Sequence, residues 1–298
     1  MPTNTKEIKT NNRTILSYDG SDNIDQHTVS SFGEEWTSFH GFSEKEIQNL
    51  GDQYFDIVTP DILNEESKIV DIGCGSGRFI KYIQTKYPFK SITGIDPSSA
   101  VLAADALVGK DEKVTLIQAA ADNIPFPDEH FDFGYSLGVL HHIPDTAKAL
   151  NDCVKKVKKG GHFLVYLYYS LDNKPYYFKI IFWLSNLIRL VISKMPAKLK
   201  KAFCAFLAVV IYMPFVLLCR FLKVIGVPKR IRQNIPLQVY EDQSFYVIRN
   251  DSLDRFGTPL EQRFSRKQIQ AMMEKAGLTD IFFSELTPYW HAIGRKKS

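Results

Sequence analysis

Between about Ser43 and Gly161, short apolar runs alternate with stretches whose apolar residues recur at helical spacing, the pattern of an α/β domain on a parallel sheet. Lys68 to Ile72, Ser91 to Ile95, Val114 to Gln118, Phe131 to Leu137 and His162 to Tyr169 read as five strands. Between them fall a helix over Arg78 to Tyr87 and another, capped by Ser98 or Ser99, that runs to about Val108. Asp145 caps a third that runs to Lys158 and ends at Gly160. The rhythm resumes near the end with a helix over Ser265 to Lys275 stopped by Gly277, a strand near Ile281 to Glu285 and a last strand near Tyr289 to Gly294. The expected fold is therefore α/β, a seven-stranded, mostly parallel sheet with helices on both faces, closed only at the C-terminus.

The interruption from Ser170 to about Phe264 has a different texture. Over Tyr176 to Ser193 the polar residues Lys179, Asn186, Arg189 and Ser193 fall on one helical face, and the rest of the surface is apolar. Ala202 to Cys219 is an uncharged run broken only by Pro214 and flanked by Lys198, Lys200, Lys201, Arg220 and Lys223. Its length suits a membrane span. A single crossing would strand the last helix and strands away from their sheet, and basic residues on both flanks favour neither end leaving the cytosol. The reading is a helical hairpin over 176–223 that lids the active site, contacts a membrane surface, or does both. Residues 1–42 then form a tail and cap, with Met1 to Asn12 as a frayed end; 43–169 is the core, 170–264 the insertion and 265–298 its completion.

Composition narrows the function classes. The chain has 298 residues, 37 lysines and arginines against 33 acids, and a formal charge of +4, too mild to argue for nucleic acid. The basic tracts Lys155 to Lys159 and Pro228 to Arg232 lack the interleaved aromatics of a strand-binding surface, so no nucleic-acid partner is expected. Cys74, Cys153, Cys204 and Cys219 are far apart and form no metal-binding or disulfide pattern. With no apolar leader at the start, a cytoplasmic protein is expected, peripheral to the inner face of the membrane if the insertion rests there.

The chemistry is concentrated after the first strand. In Asp71-Ile72-Gly73-Cys74-Gly75-Ser76-Gly77-Arg78 a buried strand runs into alternating glycines and then a helix, so the backbone turns sharply and a ligand can approach closely. A nucleotide-like ligand belongs at this edge of the sheet. A dinucleotide fingerprint needs glycine where Arg78 stands, and no lysine-bearing phosphate loop is present. Asp96, at the tip of the second strand, suits the acceptor of two ribose hydroxyls, and equally a turn or helix cap.

Val70 to Gly77, Ile92 to Asp96, Ile124 to Asp132 and Gly138 to Ile143 together resemble class I S-adenosylmethionine (SAM) dependent methyltransferases of the ubiquinone/menaquinone C-methyltransferase type, over about Lys68 to Val165. The resemblance implies a Rossmann-like fold with SAM as cofactor. It places Gly73, Cys74, Gly75 and Gly77 along the methionine part and ribose, Asp71 in support of the loop, and Asp96 and Pro97 at the ribose. Leu137 belongs to the same floor. The acid that often precedes the adenine-contacting residue falls on Ala120, so adenine would rest on the backbone near Ala121 and on Asp122. Ser31 to Trp36 and Asp251 to Phe264 resemble glycan-associated bacterial methyltransferases, which points to a sugar or lipid-linked saccharide.

Methyl transfer to a hydroxyl or carbon acid needs a base near the methyl group. His141 and His142 follow the fourth strand and are the candidates; each also suits a structural role at a helix start. Adjacent histidines are not a metal-binding spacing, so no metal is expected. Trp36, Tyr240, Tyr246, Arg249 and Arg255 are candidate acceptor contacts, with an arginine fork gripping phosphate or carboxylate; Tyr18 and Trp290 are candidates to shape the mouth. The acceptor implied is a small molecule or a lipid-linked one, a sugar hydroxyl first. C-methylation of a quinone-like or other lipid acceptor is the alternative, and a SAM-binding or peripheral membrane module without turnover is the reading of another class. The oligomeric state is not legible.

Overall fold

The computed structural model describes residues 5–38 and 42–298. The chain divides into two compact units, Met1–Asp172 with Leu260–Ser298, and Asn173–Pro259. The first contains one sheet of strands β1 (Thr5–Lys9), β2 (Thr14–Tyr18), β3 (Lys68–Ile72), β4 (Ser91–Ile95), β5 (Val114–Gln118), β6 (Phe131–Leu137), β7 (Val157–Tyr166), β8 (Leu278–Phe283) and β9 (His291–Lys296). Their order across the sheet is β1-β2-β5-β4-β3-β6-β7-β9-β8. The run from β2 to β7 is parallel, and β1, β9 and β8 are antiparallel to their neighbours.

Helices α1 (Gln26–Ser38), α2 (Glu44–Tyr54), α3 (Arg78–Lys86), α4 (Ala100–Val108) and α5 (Thr146–Lys155) connect the early strands. The central strands are buried on both faces, with Ile69 to Ile72 of β3 and Ile92 to Ile95 of β4 all buried, as a parallel sheet requires. One face packs Ile47 of α2, Ile80 and Ile83 of α3 and Ala104 of α4. The other packs Leu150 and Val154 of α5 with Ile269 and Met273 of the late helix Arg266–Lys275.

The sheet has nine strands rather than seven because the expected frayed end folds. Thr14 to Tyr18 buries alternate residues, Ile15 completely and Ser17 nearly so, and pairs Leu16 with Ile117 of β5. Arg13 stitches it down: Nε donates to Asp105 at 2.7 Å, Nη1 to the Val114 carbonyl at 2.6 Å and Nη2 to the Gly109 carbonyl. The register near Gly160 also differs from expectation. α5 stops at Lys155, and β7 already begins at Val157, paired with Phe131 and held by a 2.6 Å ion pair from Lys158 to Asp132. Gly160, expected to end a helix, lies inside this strand at φ +77° and marks its irregular register. The last two strands likewise start and end a few residues away from their sequence placement.

In the second unit, α6 (Tyr176–Ile192) and α7 (Ala197–Leu207) are followed by a five-residue π turn, Ala208–Tyr212, and α8 (Met213–Val224). The π turn precedes Pro214, whose missing N–H disturbs the α ladder there. α9 (Lys229–Arg232) and α10 (Phe245–Gly257) complete the unit, and Arg266–Lys275 is α11. The expected hairpin is held chiefly through α10, which packs on both α6 and α7. Ser252 of α10 donates to the Cys204 carbonyl at 2.8 Å, and Arg255 donates to Ser185 at 2.9 Å. Residues 260–264 belong with the sheet: Phe264 donates to the Tyr168 carbonyl at 2.8 Å.

Candidate active site

In sequence β3, β4 and β5 are laid down outward in one direction, and β6 then returns to the other side of β3. The carboxyl ends at that reversal form the crevice in which open α/β sheets bind ligands. Gly73, Gly75 and Gly77 all have positive φ, at +80°, +51° and +77°. The loop is pinned from behind, where the N–H groups of Gly73 and Cys74 donate to the Ile95 carbonyl at 2.7 and 3.0 Å. Cys74 is buried, and burial raises its thiol pKa well above the ordinary value, so it packs rather than reacts.

Asp96 ties the loop to β4. Its Oδ2 accepts from the Gly75 N–H at 2.9 Å, and its Oδ1 accepts from the Ser98 N–H at 2.9 Å and hydroxyl at 2.6 Å. Asp96 is thus a turn anchor, the second of its two expected roles, with lone pairs left over. Asp71 is 1% exposed, and its Oδ2 has no hydrogen-bond partner among the described residues. Burial pushes this carboxyl up to about 8; the Tyr135 hydroxyl and Arg78 lower it and the Asp96 charge raises it. The Ser76 hydroxyl is also buried without a partner among the described residues.

Beyond Asp96, Pro97, Ala119 and Ala120 line a pocket closed on its other side by Tyr18, Gly20, Ile24 and Val29. Of this N-terminal wall the sequence offered only Tyr18 as a candidate. Asp122 holds it: its carboxylate accepts from the Ser21 hydroxyl at 2.6 Å and from the N–H groups of Asp22 and Asn23 at 3.2 and 3.1 Å. Asn23 then exchanges hydrogen bonds with the backbone of Asp145 at 2.9 and 2.8 Å. The turn residues Gly20 to Asn23 were the available signal. Ala121 is buried beside Asp122, and Leu137 is buried at the end of β6.

The two histidines sit in a 3-10 turn, Leu140–His142, and differ sharply. His141 is fully buried, stacked on Tyr168 with centroids 3.8 Å apart, and its Nδ1 accepts from the Tyr168 N–H at 3.3 Å. Burial first, then the charges of His142 and Arg263, hold its pKa well below the ordinary value. His142 Nδ1 lies 2.6 Å from the Leu260 carbonyl, which can only accept. The proton is therefore on Nδ1, and Nε2 is the basic nitrogen of the neutral ring. Gln262, another residue the sequence did not single out, fixes this turn by donating from its N–H to the His141 carbonyl at 3.0 Å and from Nε2 to the Ile143 carbonyl at 2.7 Å.

The other candidates have their own partners. Trp290 is 6% exposed and donates from Nε1 to Asp172 at 2.9 Å, so it is a core residue rather than part of a mouth. Tyr240, Tyr246, Arg249 and Arg255 belong to the second unit. There Tyr240 donates to Asp251, Arg249 lies over the Tyr246 ring at 5.8 Å, and Arg255 covers Phe182 at 4.4 Å. The Trp36 side chain lies outside the described residues.

Residues 70–165 match a family model described as a methyltransferase domain. A ubiquinone biosynthesis O-methyltransferase of Alkalilimnicola ehrlichii is 28% identical over 166 residues, 53% of this chain and 66% of the relative. A sterol 4-C-methyltransferase of Caenorhabditis elegans is 30% identical over 122 residues, 39% of this chain and 36% of the relative. The chain thus spans less than two thirds of each. Among solved structures, human N-acetylserotonin methyltransferase in complex with SAM aligns over 90% of this chain and 57% of its own, at 16% identity and a TM-score of 0.51, a likeness of fold.

Proposed function

We propose that this chain is a class I SAM-dependent methyltransferase that methylates a hydroxyl group of a small-molecule or lipid-linked acceptor, with a sugar hydroxyl as the first choice. The observation that carries the reading of an acceptor that must lose a proton is the 2.6 Å contact between His142 Nδ1 and the Leu260 carbonyl. The His142 Nδ1–H is held by that carbonyl, so Nε2 is the nitrogen able to take a proton. Bound SAM supplies an electrophilic methyl group and its own leaving group. The protein's work is to hold the donor, orient the acceptor oxygen and remove its proton. Support for the sugar comes from the likeness of Ser31 to Trp36 and Asp251 to Phe264 to glycan-associated enzymes. The relative named as an O-methyltransferase supports the same atom class. Incubation with methyl-labelled SAM and extracted sugars, lipid-linked saccharides and quinols tests it. Label appearing as an O-methyl ether is the expected result, and label on carbon or nitrogen overturns it.

The residues fit SAM. Gly73, Gly75 and Gly77 open the backbone, Asp96 has acceptor capacity for ribose, and the buried, partnerless Asp71 Oδ2 stands ready beside a cationic ligand. The last point has a pH signature. The Asp71 carboxyl titrates at about 8 in the folded chain against 3.8 when unperturbed. Between those values the folded state holds a proton that the unfolded state has lost. Its contribution to stability is therefore present at low pH and is lost as pH rises to about 8. A cationic ligand favours the ionised carboxylate, so SAM binding at pH 7 should release a proton, and affinity should climb by up to about tenfold per pH unit before levelling above 8. Calorimetry in two buffers of different ionisation enthalpy measures this, and Asp71→Asn should flatten the profile. An unchanged profile in that variant removes Asp71 from the site.

A further inference from the structure

α6 is built inside out. Lys179 is exposed, but the polar residues of the helix's second half face the interior of the second unit, where Arg189 Nη1 donates to the carbonyls of Thr258 at 3.0 Å and Pro259 at 2.7 Å, and Nε donates to Asn186 at 2.8 Å. Its large apolar residues face out, with Trp183 60% and Val191 62% exposed. The α7–α8 rod repeats the arrangement: Phe206, Leu217 and Phe221 are 59%, 54% and 61% exposed, while Cys204, Ala208 and Cys219 are fully buried. In water this opposes the hydrophobic effect, and so continuous an apolar surface marks an interaction face.

Charge identifies what covers it. From Tyr176 to Val224 there is no aspartate or glutamate, against eight lysines and arginines. A second copy of the same face would bring like charges together; an anionic lipid surface complements them. The rod from Ala197 to Val224 has 28 residues and a mean hydropathy of 2.6 in its most apolar window, about 42 Å of helix, enough to cross a bilayer core. The cations decide against crossing. Lys194 and Lys198 lie at its start and Lys223, Lys229 and Arg230 at or beyond its end, so a span would carry one basic cluster to the far side. We infer that α6 and the α7–α8 rod lie in the plane of an anionic bilayer, with their apolar faces in one leaflet and the basic clusters at both ends among the headgroups. This inference does not depend on which acceptor is methylated.

Flotation of the full chain with vesicles of equal parts phosphatidylglycerol and phosphatidylcholine, and with phosphatidylcholine alone, tests it. The wild type should float with the first and far less with the second, and high salt should weaken binding. Trp183→Glu, Phe206→Glu and Leu217→Glu together should lower partitioning at least roughly tenfold, with helix content and SAM binding unchanged. Lys194→Gln, Lys198→Gln, Lys229→Gln and Arg230→Gln together should remove the preference for anionic lipid. Quenching of tryptophan emission by brominated lipid, lost in Trp183→Phe, gives the same answer without a charge introduced on the face. The inference is overturned if the wild type stays soluble with both vesicles, if the glutamate variant floats equally, or if the wild type sediments as a dimer that the glutamate variant splits without any lipid binding.

Discussion

A His142→Ala chain should turn over about 10²- to 10⁴-fold more slowly at neutral pH, with SAM affinity little changed, because the substitution removes a proton acceptor and leaves the glycine loop intact. His141 is the internal control. Its Nδ1 accepts a backbone N–H, its ring stacks on Tyr168, and burial keeps it uncharged. His141→Phe preserves a ring of similar shape but loses the acceptor for the Tyr168 N–H. It should therefore lower the melting temperature while the single-turnover rate stays within a few-fold of wild type. Single-turnover measurements with labelled SAM separate these outcomes from slow product release. If His141→Phe abolished the chemical step and His142→Ala left it intact, the assignment would be reversed. Equal losses in both, accompanied by lower SAM affinity, would mean that the Leu140–His142 turn holds the cofactor rather than the base.

The sequence could name this pair but not separate its members, because adjacent residues in one short turn carry identical chemistry until their partners are known. Those partners, Tyr168, Leu260 and Gln262, are far away in sequence. Local signals fared well where the cause is local: Lys68 to Ile72 and Ser91 to Ile95 are strands as expected, and the positive φ angles of the loop follow from glycine spacing. Where tertiary pairing decides, the local reading failed. Thr14 to Tyr18 is too short to assert itself as a strand until β5 offers an edge and Arg13 finds Asp105. Gly160 looked like a helix stop because nothing near it in sequence shows that Val157 pairs with Phe131. The polar stripe of α6 was visible, but periodicity gives the stripe and not its direction. That Arg189 points inward depends on the carbonyls of Thr258 and Pro259, about seventy residues later.

The glycine loop itself supports the severest expected loss of stability. Gly73 has φ +80°, and a Cβ built there would lie 2.4 Å from both γ carbons of Val139 and 2.8 Å from its Cβ. Gly73→Ala therefore meets two independent penalties, a left-handed backbone costing about 1–2 kcal/mol and an overpacked contact costing about 1–3 kcal/mol. Denaturant unfolding should show a loss of roughly 3–4 kcal/mol, and SAM binding should weaken because relieving the contact displaces a loop that the Ile95 carbonyl holds at 2.7 Å. Val139→Ala in the same chain removes the two γ methyl groups but keeps the Cβ at 2.8 Å, so the double variant should recover part of the overpacking share and none of the backbone share. Gly226, in the cap that ends α8, calibrates the division: it has φ +81° with no atom within 4 Å of a built Cβ, so Gly226→Ala should lose only the backbone share. A Gly73→Ala loss no larger than that of Gly226→Ala would mean that Val139 yields freely. The tight approach of the loop to the turn that follows β6 would then have no part in fixing the cofactor site.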